Sequence, residues 1–195
     1  MIHSPRASFT KFLFSMFKIL EPIIPIAEND IQESIHELEN LRKKISSKNL
    51  NEQNPALSLA YWITEIPVIY FPWGLQSCAI RFKNSLQENA KMHAISEDVI
   101  EASHNGIVPW ERMTNLKPIL LEGKEDYIKT KERWIILKEF FEKNKIEYKE
   151  VFSVKGSILS KIINLIYLLD YTSIYKAVIS NIDPTPVAPI NFVKN

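Results

Sequence analysis

Two short, almost wholly apolar runs at residues 66–71 and 116–121 constrain the fold of this chain more than any other feature. An apolar run of this length is typical of a strand that is buried on both faces of a sheet. Short strands that alternate with helices form parallel sheets through right-handed crossovers. The remaining pattern predicts helices at 75–91, 125–144 and 156–180, and a third strand at 146–154. We therefore predict an α/β fold, a three-layer sandwich whose parallel sheet is flanked by helices.

The first part of the chain is predicted to form a helical hairpin. Apolar residues recur at helical spacing over 9–20, after Ser8 as a potential N-cap. Pro22 and Pro25 end this helix, because proline lacks the backbone N–H that a helix interior needs. A second amphipathic helix is predicted from Asn29 or Asp30 to Ile45, followed by a polar loop at 46–54 and a short helix at 55–62.

These patterns predict three regions along the chain. Residues 1–53 form the helical segment and a linker, and residues 54–182 form the α/β domain. Residues 183–195 form a tail with three prolines, which predicts an extended rather than a helical backbone. The apolar residues of the tail indicate that it packs on the domain or on a partner.

Composition argues against several classes of function. The 24 basic and 23 acidic side chains are interspersed and leave a net charge of +1, so no electrostatic field favours nucleic acid or a membrane surface. The apolar stretch at 9–27 contains two lysines and two prolines, and it falls short of a membrane span of about 20 residues. No signal peptide is recognisable, so we expect a cytoplasmic protein.

Cofactor and metal sites are not predicted. Cys78 is the single cysteine, which excludes an intramolecular disulfide and a cysteine-rich metal site, and the four histidines are not spaced as metal ligands. The chain has four glycines and lacks the glycine-rich loops that bind nucleotide phosphates.

Several segments together resemble a known family. They are Arg-Phe-Lys-Asn-Ser-Leu-Gln-Glu-Asn-Ala-Lys at 81–91, Ser-His-Asn-Gly-Ile-Val-Pro-Trp at 103–110, Leu-Asp-Tyr-Thr-Ser at 169–173, Asp-Pro-Thr-Pro-Val-Ala-Pro-Ile at 183–190 and Pro-Arg-Ala-Ser at 5–8. In this order they resemble the C-terminal sugar isomerase (SIS) domain of bifunctional phosphoglucose/phosphomannose isomerases. The resemblance covers essentially the whole chain and implies an isomerase that interconverts glucose 6-phosphate or mannose 6-phosphate with fructose 6-phosphate.

The resemblance also implies roles for four residues. Glu88 matches the general base, which moves a proton between neighbouring sugar carbons through a cis-enediolate. His104 matches the histidine that opens the sugar ring, and in the family's dimers it serves the neighbouring subunit's site. Lys194 matches a lysine near the sugar, and Arg6 matches an active-site arginine that contacts the substrate. A homodimer is therefore expected.

The sequence departs from the family in two ways. The family has a glutamate after the His-Asn pair, where this chain has Gly106. The family's phosphate pocket lies in the first SIS domain, which precedes the segment that this chain resembles. Phosphate contacts help to position the reacting carbons, so their loss weakens catalysis. We therefore expect the base-bearing half of an isomerase, which acts as a homodimer or with a separate phosphate-binding SIS chain.

Other interpretations of the same residues remain open. A non-catalytic SIS-fold module that binds sugar phosphate or supports assembly is the main alternative. Without the resemblance, Glu88 would be an exposed helix residue beside Lys91, and His104 a loop histidine. Packing on a core or a dimer partner explains the apolar face of the 9–20 helix better than binding to a membrane surface does.

Overall fold

The computed structural model of the chain describes residues 5–112 and 114–194. Its helices are α1 (Phe9–Leu20), α2 (Glu28–Ile45), α3 (Pro55–Trp62), α4 (Gln76–Asn89), α5 (Val99–Glu101), α6 (Ile128–Lys143), α7 (Ile158–Ile179) and α8 (Ala188–Lys194). Its strands are β1 (Ile66–Phe71), β2 (Ile95–Asp98), β3 (Leu116–Glu122) and β4 (Lys149–Phe152). Single helical turns occur at Pro5–Ser8, Ala102–Gly106 and Val108–Glu111.

The four strands form one parallel sheet in the order β2-β1-β3-β4. The predicted strands β1 and β3 are its centre, where both neighbours and both faces bury them. β4 is shorter than the predicted strand at 146–154. β2 was not predicted, because this edge strand reads Ile-Ser-Glu-Asp and carries one apolar residue.

Helices cover both faces of the sheet, which confirms the predicted three-layer α/β sandwich. Alternate residues of β1 point to opposite faces. Ile69 and Phe71 contribute to a core shared with α2, α3, α4 and α7. Val68 and Tyr70 contribute to a second core with α5 and α6, in which Trp110 Nε1 donates a 2.8 Å hydrogen bond to Tyr70 Oη.

The long helix α7 lies at the centre of one helical layer, where it packs against α2, α3 and α4. Among the described residues it is the one helix long and apolar enough to cross a membrane, and half of its most apolar stretch is buried inside the domain. A helix that is apolar on most of its circumference is expected in such a position. We therefore assign α7 to the core of the domain.

The predicted helical hairpin is present, and its second helix is part of the domain. Asn164 Nδ2 of α7 donates to the carbonyl of Glu37 at 3.1 Å, and Tyr175 Oη donates to that of Ile45 at 2.6 Å. α1 differs, since none of its residues is buried, and Ile19 is 75% exposed.

The prediction of an extended tail was wrong for residues 188–194, which form α8. Pro189 lies in the first turn of this helix, where the backbone N–H groups have no partner within the helix. Proline therefore costs no hydrogen bond at this position. Pro184 and Pro186 precede the helix, in the non-helical segment that joins α7 to α8.

Candidate active site

Glu88 lies at the end of α4, at the amino-terminal edge of the sheet. β1 and β2 are parallel, so the intervening α4 must carry the chain back to that edge before β2 begins. The buried face of α4 includes Phe82 and Leu86, whereas the Glu88 side chain is 37% exposed. The helix thus places a carboxylate at a solvent-accessible edge of a rigid core.

Arg6 is the ion-pair partner of this carboxylate. Its Nε lies 3.3 Å from Glu88 Oε2. Its Nη1 donates to Asn89 Oδ1 and to the carbonyl of Pro184, both at 2.8 Å, and its Nη2 donates to the carbonyl of Thr185 at 2.9 Å. One guanidinium therefore joins the start of the described chain, the end of α4 and the tail. The structure brings together Arg6 and Glu88, two of the predicted site residues.

The tail covers one side of this pair. A cavity of about 350 Å³ lies between the end of α4 and the tail, and its lining includes Glu88, Lys91, Val187 and Ile190. Asp183 shapes the start of the tail by accepting the backbone N–H of Thr185 at 2.8 Å, and this hydrogen bond lowers the pKa of the Asp183 carboxyl.

A second cavity, of about 520 Å³, opens on the other side of the Arg6–Glu88 pair. Its polar lining includes Ser77, Arg81, Asn84 and Ser85, together with both members of the pair. A carboxylate beside such a cavity can take a proton from a bound molecule and return it. The neighbouring guanidinium can stabilise the negative charge that develops during such a transfer.

A further ion pair, between Arg81 of α4 and Asp170 of α7, lies next to the site. Arg81 Nη2 lies 2.6 Å from Asp170 Oδ2 of α7, and Ser85 Oγ donates to Asp170 Oδ1 at 3.0 Å. Burial raises the pKa of Asp170, although the Arg81 guanidinium acts in the opposite direction. Neither Arg81 nor Asp170 was assigned a role from the sequence. Both lie inside the matched segments 81–91 and 169–173, so the signal was present in the resemblance.

His104 is not brought to Glu88 within one chain. It lies in the turn Ala102–Gly106, which follows α5 on the face of the sheet opposite to α4, and its side chain is exposed. A match of motifs in order along a sequence carries no information about their distance in space, so this separation could not be predicted from the residues alone.

Gly106 of the same turn lies against a carboxylate from β2. A Cβ at position 106 would lie 2.5 Å from Glu97 Oε1. Glu97 therefore fills the space into which a side chain at position 106 would project. Burial, reinforced by the nearby Glu101 carboxylate, raises the pKa of Glu97.

Lys194 ends α8 with an exposed side chain and forms no ion pair with the described residues. The described residues also contain no group of three or more His, Cys, Asp or Glu side chains that could hold a metal ion.

The parallel sheet with helices on both faces also occurs in solved structures of other proteins. The fold resembles that of a glucose-6-phosphate isomerase like protein from Thermus thermophilus, with a TM-score of 0.64 and 20% identity over 80% of this chain and 52% of that one. It also resembles tagatose-6-phosphate ketose/aldose isomerase from Escherichia coli, with a TM-score of 0.66 and 8% identity over 91% of this chain and 50% of that one.

The family is set by the sequence. Residues 52–195 match the model of the bacterial phospho-glucose isomerase C-terminal SIS domain, and the chain belongs to this family. The bifunctional phosphoglucose/phosphomannose isomerase of Caldicellulosiruptor bescii is 30% identical over 190 residues, which are 94% of this chain and 55% of the relative. That of Thermoplasma acidophilum is 32% identical over 176 residues, which are 89% of this chain and 55% of the relative. The chain thus spans about half the length of these curated relatives.

Proposed function

We propose that this chain supplies the proton-transferring half of an isomerase that interconverts glucose 6-phosphate or mannose 6-phosphate with fructose 6-phosphate. The observation that carries the proposal is the Arg6–Glu88 pair, in which a carboxylate with an adjacent guanidinium borders two cavities. Membership of the SIS family supports the choice of a sugar phosphate as substrate.

Glu88 acts as the general base in this proposal. Its carboxylate removes the proton from C2 of the open-chain aldose, which gives a cis-enediolate with its negative charge on O1. After a proton passes from the O2 hydroxyl to O1, the Glu88 carboxyl returns its proton to C1 to give the ketose. One carboxylate serves both carbons because they are neighbours. Arg6 binds the substrate and stabilises the negative charge on the enediolate oxygen, since its guanidinium lies beside Glu88.

His104 and Lys194 complete the proposed site. Because the turn that carries His104 and the helix that carries Glu88 lie on opposite faces of the sheet, we assign His104 to the site of a neighbouring subunit in a homodimer, where it opens the sugar ring. We assign Lys194, whose side chain is exposed at the end of α8, to a contact with the sugar.

A second SIS domain completes phosphate binding in the proposal. The matched region makes up 55% of the length of each of two curated relatives, so these relatives extend well beyond it. A domain of that kind, on the same polypeptide or on a separate chain, would hold the phosphate group and thereby position C1 and C2 at Glu88. We propose the cytoplasm as the compartment.

The test is isomerase activity of the chain alone and after mixing with the amino-terminal SIS half of the Caldicellulosiruptor bescii relative. Formation of glucose 6-phosphate from fructose 6-phosphate is measured with a coupled dehydrogenase. Glu88→Gln should lower kcat by about 10²-fold or more, because general acid–base catalysis contributes at least that much. Glu139→Gln, on the exposed surface of α6, is the matched control. Equal activity of Glu88→Gln and an active wild type would disprove the role of Glu88.

The alternative is a non-catalytic module that binds sugar phosphate or supports assembly. Gly106, which replaces the family glutamate while Glu97 occupies the adjacent space, is the observation that favours it. Calorimetry with glucose 6-phosphate separates the two functions. Binding without turnover in any mixture supports the module, whereas turnover that depends on Glu88 supports the isomerase.

A further inference from the structure

We propose that Asp170 is a positioning residue for the Arg6–Glu88 pair, and that it acts through a closed ring of hydrogen bonds formed by Asp170, Arg81, Arg6, Asn89 and Ser173. The inference rests on the proposed function for its effect on activity. Its structural part stands on contacts between α4, α7 and the turn Pro5–Ser8.

The first half of the ring starts at the carboxylate of Asp170. This group accepts from Arg81 Nε at 3.1 Å and from Arg81 Nη2 at 2.6 Å. Arg81 Nη2 also donates to the backbone carbonyl of Arg6 at 3.2 Å, and the guanidinium lies 4.2 Å from the centre of the Phe9 ring. Arg81 thereby fixes the backbone at Arg6, because Asp170 fixes Arg81.

The second half of the ring starts at the backbone carbonyl of Asp170. Ser173 Oγ donates to this carbonyl at 2.7 Å and accepts from Asn89 Nδ2 at 2.8 Å. Asn89 Oδ1 in turn accepts from Arg6 Nη1 at 2.8 Å. This half fixes the guanidinium of Arg6. Backbone and side chain of Arg6 are therefore both held from one residue of α7.

Burial makes the second half rigid. Ser173 is 0% exposed and Asn89 is 9% exposed. A buried polar group that loses its partner carries the full desolvation penalty, so each member of this half has a strong preference for the observed arrangement.

The ring also keeps the charge of Arg6 available. Among residues 5–112 and 114–194, the partners of the Arg6 guanidinium other than Glu88 are the neutral oxygens of Asn89, Pro184 and Thr185. The nearby carboxylate of Asp170 is paired with Arg81 instead. Arg6 is thus oriented by neutral acceptors, and Glu88 or a developing enediolate is the anion that its charge can stabilise.

The experiment compares wild type with Asp170→Asn, which puts an amide in front of the Arg81 donors, and Ser173→Ala, which opens the buried half. Glu125→Gln is the matched control, since it breaks the 2.8 Å ion pair of Glu125 with Lys161 of α7 outside the ring. Asp170→Asn should lower kcat by about 10- to 100-fold, as expected when reacting groups shift by a fraction of an ångström to one ångström, with a smaller rise in KM because Arg6 also binds the substrate. Unchanged kcat in Asp170→Asn would overturn the proposal.

A second readout does not depend on activity. The Nε–H signal of Arg6 in a ¹⁵N NMR spectrum should be sharp in wild type and Glu125→Gln, and shifted or broadened in Asp170→Asn and Ser173→Ala. If it is unchanged in both ring variants, the ring does not position Arg6. Wild type without isomerase activity in any mixture refutes the proposed function alone, because the Arg6 signal still tests the ring. Should Asp170→Asn fail to fold, Ser173→Ala decides both readouts.

Discussion

The Glu33 carboxylate of α2 accepts the backbone N–H of Ser157 at 3.0 Å and so caps the amino terminus of α7 from a different helix. Ser160 Oγ donates to the same oxygen at 3.0 Å. These hydrogen bonds join the predicted helical hairpin to the central helix of the domain, and they make stability dependent on the charge of Glu33.

We expect acid to weaken this connection. The hydrogen bond from the Ser157 backbone, followed by those from the Ser157 and Ser160 side chains, lowers the pKa of Glu33 below 4.5. An acid whose pKa is lower in the folded state contributes its stability fully above the unfolded pKa, and the contribution disappears as pH falls through the folded pKa. Glu33→Gln should therefore lower the urea midpoint at pH 7 and have less effect at pH 3. An equal loss at both pH values would contradict this account.

Gly156 precedes this cap and should not tolerate a side chain. Its φ is +110°, and a Cβ at this position would overlap Glu33 Oε1. Gly74 has a comparable φ of +95°, but its Cβ would lie 3.8 Å from Ile158 Cδ1, an ordinary contact. Backbone strain of about 1–3 kcal/mol is expected in both alanine variants. Gly156→Ala should lose more stability than Gly74→Ala in urea unfolding, since it also displaces Glu33. An equal loss of stability in the two variants would show that Gly156→Ala does not displace Glu33.

The Glu122 carboxylate gives stability the opposite dependence on pH from that of Glu33. Glu122, at the end of β3, shares Lys138 with Glu150, and burial raises the pKa of Glu122 to about 7. A raised folded pKa means that the folded state binds the proton more tightly, so this group lowers stability as pH rises from about 4.5 to about 7. Glu122→Gln should flatten the pH profile of the urea midpoint in that range. Glu147→Gln, which removes the exposed partner of Lys117, should leave the profile unchanged.

The buried hydrogen bond from Trp110 to Tyr70 should contribute measurably to stability. Tyr70→Phe leaves Trp110 Nε1 without its 2.8 Å partner. An unsatisfied buried donor costs about 1–3 kcal/mol, which should appear as a lower free energy of unfolding. Tyr61→Phe, on the exposed side of α3, is the control and should have little effect.

A mixing experiment tests the proposed role of His104 at a neighbour's site. Glu88→Gln and His104→Ala should each be inactive alone. If subunits exchange in a two-fold homodimer, half of the dimers in an equal mixture combine one of each, and one of the two sites in such a dimer is intact, so about a quarter of wild-type activity should return. No recovery, in a mixture shown by sedimentation to contain mixed dimers, would place His104 outside the neighbour's site.

The sequence predicts the strands whose residues are buried on both faces, because burial requires a run of apolar residues. β1 and β3 are buried on both faces, so their apolar runs identify them. β2 lies at the edge of the sheet, where half-exposed polar side chains suffice, and its pattern does not indicate a strand. α8 was missed because three prolines precede or open it, and only the position of Pro189 in the first turn makes the helix possible.

The candidate site follows the same rule. The resemblance to family motifs assigns roles to Glu88, Arg6, His104 and Lys194. Such a match identifies residues along the sequence but gives no distances between them. The pairing of Arg6 with Glu88, and of Arg6 with Asn89 over 83 positions of sequence, depends on how α4 returns to the amino-terminal edge of the sheet. No local pattern contains that information, so the ring around Asp170 became visible only in three dimensions.

The hydrogen bonds of Arg6 to Pro184 and Thr185 have a consequence for protein engineering. They connect positions separated by 178 and 179 residues, so the first described turn and the segment before α8 meet at one point. Any polypeptide fused upstream of Arg6 would be joined to the chain close in sequence to the residue that pairs with Glu88, which makes that junction an attachment point for a reporter of substrate entry.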